Sequence, residues 1–175
     1  MIRLRGLQKK DANRMLEWMH DPEIQKNFQK DFLDKEMPDI LYFIETASCC
    51  PKEGGSVHFA VAGDEDEYLG TISLKNICLG ERCAEYAVSL RKCAQGKGIG
   101  YEATKKLLQM AFGTFGLERV YLKVMADNEK AVRLYEKCGF VPDADFREQI
   151  YRNGRSCELK SYAIFREDFF AGKER

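Results

Sequence analysis

Hydrophobic and polar positions change their spacing several times along the chain, and each change marks an element. Ile2-Arg3-Leu4-Arg5-Gly6-Leu7 alternates apolar and charged residues, the pattern of a half-buried strand. Asp11 then reads as the N-cap of a helix carrying Met15, Leu16, Trp18 and Met19. Asp21-Pro22-Glu23 breaks that run, a short segment reaches Phe28, and a further helical stretch around Ile40, Leu41, Phe43 and Ile44 leads into the loop Pro51-Lys52-Glu53-Gly54-Gly55. From Ser56 the period is two. Val57, Phe59 and Val61 alternate with smaller residues, Gly63-Asp64-Glu65-Asp66-Glu67 supplies a turn, and Tyr68 to Lys75 completes a hairpin.

A third strand, Glu85 to Leu90, feeds a glycine-rich stretch, after which Ile99, Ala103, Leu107, Met110 and Ala111 mark one face of a helix ending near Gly113 to Gly116. Val120, Leu122 and Val124 alternate along the next strand. Asp127-Asn128 opens a helix bearing Ala131, Leu134, Tyr135 and Cys138, which stops at Gly139. Asp145 to Tyr151 and Cys157 to Phe165 flank Asn153-Gly154, a type I′ hairpin signal. The pattern predicts an antiparallel meander joined through two strand–helix units, a mixed α/β (α+β) fold. Residues 1–170 form one expected domain, and Ala171 to Arg175 read as a short loose tail.

Length and charge narrow the possibilities. A chain of 175 residues holds one well-buried core and is short for two. Lysine plus arginine equal aspartate plus glutamate at 28 each, so no global field draws the chain to nucleic acid or to an anionic membrane. No apolar run has the length of a membrane span, and Met1 to Arg5 lacks the apolar core of a secretory signal, so a cytoplasmic protein is expected. Seven cysteines without a Cys-x-x-Cys framework suit reduced thiols. With only His20 and His58 available, each reads as a surface or core residue, and no metal is expected. Exposed edge strands leave monomer and homodimer both open.

The chemistry begins at Gln95-Gly96-Lys97-Gly98-Ile99-Gly100, three glycines in six residues between a strand and a helix. Glycine lets a backbone take positive φ and come close to a ligand, and the unpaired amides of a helix's first turn favour an anion, so a phosphate cradle is expected there. A plain tight turn would look the same. The P-loop is excluded because Lys97 is followed by Gly98 rather than Ser or Thr, and the dinucleotide fingerprint spaces its glycines differently.

A second element stands downstream, Asn128-Glu129-Lys130-Ala131-Val132-Arg133-Leu134-Tyr135, followed by Gly139-Phe140. With it the chain resembles the GNAT superfamily of acetyl-CoA-dependent N-acetyltransferases, whose loop reads Gln/Arg-x-x-Gly-x-Gly/Ala and whose later helix reads Asn-x-x-Ala-x-x-Leu-Tyr. The match covers nearly the whole chain, from about Ile2 to Phe165. Ala84-Glu85-Tyr86 before the loop makes it most similar to the branch of ribosomal-protein N-terminal and spermidine acetyltransferases, a pattern that some amino-sugar acetyltransferases share.

The resemblance implies a central, mostly antiparallel sheet of about seven strands with a splayed pair forming an acetyl-CoA cleft. It implies direct transfer of acetyl from acetyl-CoA to a primary amine in a ternary complex, without metal, the acceptor being a polyamine, a protein N-terminus or an amino sugar. The backbone of Gln95, Gly96, Lys97, Gly98, Ile99 and Gly100 would hold the pyrophosphate, and that of Val88, Ser89 and Leu90 would pair with the pantetheine arm. Asn128 would contact the arm, Tyr135 would protonate the leaving thiolate, and Glu85 would serve as base. Other roles remain open: Asn128 is also a good N-cap, Tyr135 also suits a core, Glu85 also suits a surface, and solvent can replace the base. Trp18, Phe28, Phe32, Tyr151, Asp31, Asp34 and Glu36 are available for acceptor selectivity and equally credible as core or solvated face. A non-catalytic acyl-CoA-binding module of the same fold is the alternative, and such a module could dispense with Tyr135.

Overall fold

Strand alternation and helix caps assemble thirteen principal elements in a computed structural model that describes residues 1–152 and 154–172, the side chains of 144–147 apart. In chain order they are β1 (Arg3–Arg5), α1 (Ala12–Met19), α2 (Pro22–Gln25), α3 (Met37–Thr46), β2 (Val57–Ala62), β3 (Tyr68–Cys78) and β4 (Cys83–Leu90). They continue with α4 (Ile99–Gln109), β5 (Arg119–Met125), α5 (Glu129–Cys138), β6 (Val141–Arg152), β7 (Arg155–Phe165) and α6 (Arg166–Ala171). The strands form one seven-stranded sheet in the order β1-β2-β3-β4-β5-β7-β6. Among the described residues only the central pair, β4 and β5, is parallel.

The period of two gives the sheet two distinct faces. On one, Phe59, Ile72, Leu74, Tyr86, Val120 and Leu122 pack with Ala103, Leu107 and Phe112 from the α4 region and with Tyr135 and Cys138 of α5. On the other, Ala60 and Tyr68 pack with Met15, Trp18, Ile40 and Ile44 of α1 and α3. The Trp18 indole N–H donates to the Tyr68 hydroxyl at 3.0 Å, and that hydroxyl lies 2.7 Å from Thr71 Oγ1, so the helices are pinned to β3 by a buried polar chain.

Several elements differ from the pattern reading. Asp11 does not cap α1 through its side chain; it ends a 3₁₀ turn, Lys9–Asp11, and its carboxylate accepts the Gln8 N–H at 2.9 Å. The Arg5 guanidinium grips both its oxygens at 2.8 and 2.9 Å, which is why a carboxylate only 1 % exposed is tolerated there. A π-helical turn, Met110–Thr114, extends α4, and α6 follows β7 where the pattern showed no helix. β6 starts at Val141, four residues before the expected strand. Between the pairs Pro142↔Tyr162 and Arg147↔Lys160 it carries three more residues than β7, and a bulge of that size erases the alternation by which a strand is recognised. Arg152↔Arg155 closes the final hairpin with Gly154 at φ 76°, while Asn153 and the tail residues Lys173 to Arg175 lie outside the described residues. Among the described residues no helix is long and apolar enough to cross a membrane.

Candidate active site

The parallel pairing of β4 and β5 ends early. Cys83↔Arg119, Ala84↔Val120 and Glu85↔Tyr121 are in register, after which β4 follows β3 to Leu90 and β5 follows β7 to Met125. A wedge opens between them. The Arg91 N–H donates to the Leu69 carbonyl at 2.9 Å, so antiparallel alternation turns the backbone groups of Ser89 and Ala87 toward β3. Those of Leu90 and Val88 point the other way, into the wedge, while Tyr86, on the same side, still borders the last β4–β5 pair. Of Val88, Ser89 and Leu90, only Val88 and Leu90 therefore present backbone groups to anything lying there. The Leu90 carbonyl already accepts from Gln95 Nε2 at 3.1 Å.

At the wide end stands α4. Gly98 is its N-cap in the left-handed region at φ 78°, where a side chain would be strained, and an added Cβ would meet nothing within 4 Å. Space above this glycine is open. Gly100 sits in closer quarters, where a Cβ would lie 3.1 Å from Leu134 Cδ2 and 3.3 Å from Leu90 Cδ1 and both leucine methyls would have to shift. The amides of Ile99, Gly100 and Tyr101 have no acceptor inside the helix, so an anion placed over Gly98 would meet the positive end of an 11-residue helix. Gln95, Gly96, Lys97 and Gly98 are exposed.

The contact of Gly100 with Leu134 brings α5 beside this helix start. Asn128 caps α5, its Oδ1 accepting the Ala131 N–H at 3.3 Å, while its Nδ2 has no partner among the described residues. Two turns on, Tyr135 sits edge-on to Tyr86 at 5.6 Å and to Phe140 at 5.9 Å. The Tyr86 hydroxyl bonds Thr104 Oγ1 at 2.7 Å and Thr104 donates to the Gly100 carbonyl at 2.6 Å, which ties β4 to the first turns of α4. The Tyr135 hydroxyl has no partner among the described residues, yet every buried side-chain nitrogen or oxygen described does have one. The hydroxyl therefore keeps a small accessible edge although the ring around it is buried. Burial, and then the neighbouring Cys138, push its pKa well above the ordinary tyrosine value, so it stays a neutral O–H donor at neutral pH.

Glu85 lies on the opposite face. Register sets it between Lys75 and Tyr121, with Oε2 accepting from Asn76 Nδ2 at 2.8 Å and Oε1 3.6 Å from Lys75 Nζ. Burial first and the Glu85 carboxylate second raise the pKa of Tyr121. One step further along the same face, His58, Ser73 and Ala87 share a row across β2, β3 and β4, and His58 Nδ1 is 2.7 Å from Ser73 Oγ. Burial, then Lys75, lowers the His58 pKa and keeps the ring neutral. Sequence reasoning passed over this pair, because a lone histidine inside a strand has no motif and Ser73 is fifteen residues away.

The remaining expected residues are spread more widely. Trp18, Phe28 and Phe32 form one aromatic cluster with centroids 5.5 to 5.8 Å apart, on the α1–α3 side. Asp31 and Glu36 turn their carboxylates back onto local amides, and Asp34 lies 3.8 Å from Lys35. Tyr151 is 80 % exposed at the end of β6, and next to it Arg152 donates to the carbonyls of Gln25 and Lys26 in the α2 region.

This geometry has known counterparts. Residues 2–141 match the family model described as the acetyltransferase (GNAT) domain. The spermidine N(1)-acetyltransferase of Vibrio cholerae serotype O1 is 25 % identical over 173 residues, covering 99 % of this chain and 98 % of that protein. The spermine/spermidine N(1)-acetyltransferase of Bacillus subtilis is 31 % identical over 113 residues, 62 % of this chain and 64 % of that one. The crystal structure of the Vibrio cholerae spermidine N-acetyltransferase in complex with CoA and spermine superposes with a TM-score of 0.85 at 24 % identity, over 97 % of this chain and 98 % of that chain. A wedge closed at Glu85, a glycine-capped helix at its mouth and a family match over most of the sequence lead to one statement: the chain belongs to the acetyltransferase (GNAT) domain family and is an acetyl-CoA-dependent N-acetyltransferase.

Proposed function

We propose that acetyl-CoA lies along the open edge of β4 with its pyrophosphate over Gly98, and that its acetyl group passes directly to a cationic primary amine of the polyamine class arriving from the α1–α3 face. The observation that carries this reading is the loss of pairing after Glu85↔Tyr121, which leaves the Val88 and Leu90 backbone unsatisfied by any strand. An extended arm entering there completes the sheet as an added strand would. The names of the relatives above support a polyamine acceptor.

Each residue then has a limited task. The amides from Gly98 onward and the backbone of Gln95 to Lys97 hold the diphosphate, with the exposed Lys97 ammonium adding charge. Asn128 Nδ2, free of the cap that Oδ1 makes, is placed to donate to the arm. The bound thioester supplies an acyl group already activated toward amines. The Val88 N–H polarises its carbonyl and is strongest when negative charge develops on that oxygen. Tyr135, held neutral by burial, donates the proton that the departing sulfur needs. A hydroxyl kept without a protein partner favours a catalytic enzyme over a module that only binds acyl-CoA.

An acceptor screen tests the reading. Purified protein with acetyl-CoA is followed by free-thiol release across spermidine, spermine, an amino sugar and an N-terminal peptide. Turnover highest with the two polyamines is expected; turnover confined to the peptide or the sugar would overturn the acceptor class while leaving the donor site intact.

A further inference from the structure

Resting on acetyl transfer to an amine as read above, we propose that Ser73 and His58 form the relay that takes the proton from the incoming ammonium group. An amine that arrives charged has no lone pair to attack with. It meets the acetyl carbon from the face opposite α4 and α5, where the β4 positions beside the wedge carry Glu85, Ala87 and Ser89. If the Val88 N–H marks the carbonyl, Ala87 marks the level at which nitrogen arrives. In that row the alanine methyl leaves the Ser73 hydroxyl about 4.8 Å away, one strand over.

Behind Ser73 the geometry continues without a break. Ser73 is buried, and its hydroxyl is 2.7 Å from His58 Nδ1. With the ring proton on Nε2, Nδ1 accepts from Ser73, and Ser73 Oγ keeps a lone pair toward Ala87. The surroundings hold the ring in place: Phe43 of α3 packs edge-on at 4.8 Å, and the His58 N–H donates to the Ser48 carbonyl at 2.9 Å. Lys75 is the charged group acting on the ring, and it lies 3.6 Å from Glu85; the other titratable neighbour, Cys49, has its Sγ on the His58 carbonyl. A neutral imidazole is the form able to accept.

Glu85 is the competing base. It lies two residues from Ala87, about 6.6 Å along the strand, and both its oxygens face partners already, Asn76 and Lys75. The proton balance follows. The ammonium gives one proton to Ser73 Oγ as the Ser73 proton moves to His58 Nδ1, and the imidazolium then gives one proton to water and returns, by proton exchange with water, to the Nε2–H form that can accept again. The freed lone pair forms the C–N bond as the C–S bond breaks. The second nitrogen proton goes to water and replaces the one that Tyr135 gives to sulfur.

The test compares wild type, His58→Gln, Ser73→Ala, Ser73→Thr and Glu85→Gln, measuring kcat/KM for the accepted amine between pH 5 and 9 at saturating acetyl-CoA, with calorimetry of CoA binding. Wild type should lose activity as pH falls through a value below the ordinary histidine pKa of about 6.5. His58→Gln and Ser73→Ala should lower turnover at neutral pH about 100-fold with CoA affinity unchanged. His58→Gln should abolish the acid limb, and Ser73→Thr, which keeps the hydroxyl in a strand position, should restore most of the rate. An acid limb that persists in His58→Gln, or vanishes in Glu85→Gln instead, overturns the relay. So does Ser73→Ala turnover within twofold of wild type, a result that does not depend on how well His58→Gln folds. Wild-type protein that binds CoA but acetylates no amine removes the reading beneath the relay, and the relay with it.

Discussion

The two sides of the wedge are built from different materials. On the α4 and α5 side the proposed site is mainly backbone: a left-handed glycine at Gly98, a close approach at Gly100, helix-end amides, and the strand amides of Val88 and Leu90. On the α1–α3 side the proposed proton acceptors are ordinary side chains, Glu85, Ser73 and His58, brought into line by strand register. At its two glycines such a main-chain site admits few residue types, Gly98 for its left-handed φ and Gly100 for its close neighbours. A site made of aligned side chains leaves nearly every position free to vary, and its function is invisible until the strands are paired.

The sharpest way to break this contrast is proline, which removes one amide at a time. Val88→Pro should fold, since the lost N–H faces the wedge and not β3, and should cut kcat by about 100- to 1000-fold, the usual cost of one donor to a developing charge. Ser89→Pro removes an amide paired to β3 and should lower stability by about 3 kcal/mol, read as a fall in the urea midpoint. Equal stability in the two variants would contradict the assignment of which amides face the gap. Tyr135→Phe keeps the ring between Tyr86 and Phe140, so stability and CoA affinity should hold while kcat drops about 100-fold in steady-state assays.

Gly98→Val should weaken CoA binding about tenfold by calorimetry, because a left-handed β-branched residue costs about 1–2 kcal/mol before it meets any ligand. The smallest effect concerns the other side and pH. The folded state holds the His58 pKa below its unfolded value, so folding binds fewer protons there, and stability falls as pH drops through about 6.5. Melting temperatures at pH 7.5 and pH 5.5 should differ more in wild type than in His58→Gln.

How far the chain announces these features varies with the same physics. The loop Gln95 to Gly100 and the run from Asn128 to Tyr135 were readable because each meets a local constraint, a turn of positive φ in one and a capped helix in the other. Asp11 stands at the N-cap position of α1 as expected, but its carboxylate is taken by the Arg5 guanidinium and the Gln8 N–H, partners that helix patterning does not show. The start of β6 was missed because a bulge breaks the period of two, and α6 because Arg166 to Ala171 is too short for helical periodicity to stand out.

Local stereochemistry therefore determined the glycine loop, the caps and the order of strands and helices, since those depend on residues within a few positions of one another. Only the folded sheet decided that pairing stops at Glu85↔Tyr121, that Ser89 turns its amide away while Val88 offers one, and that His58 stands behind Ser73. Register couples residues far apart in the chain, and a shift of one residue would send every one of those groups to the other side.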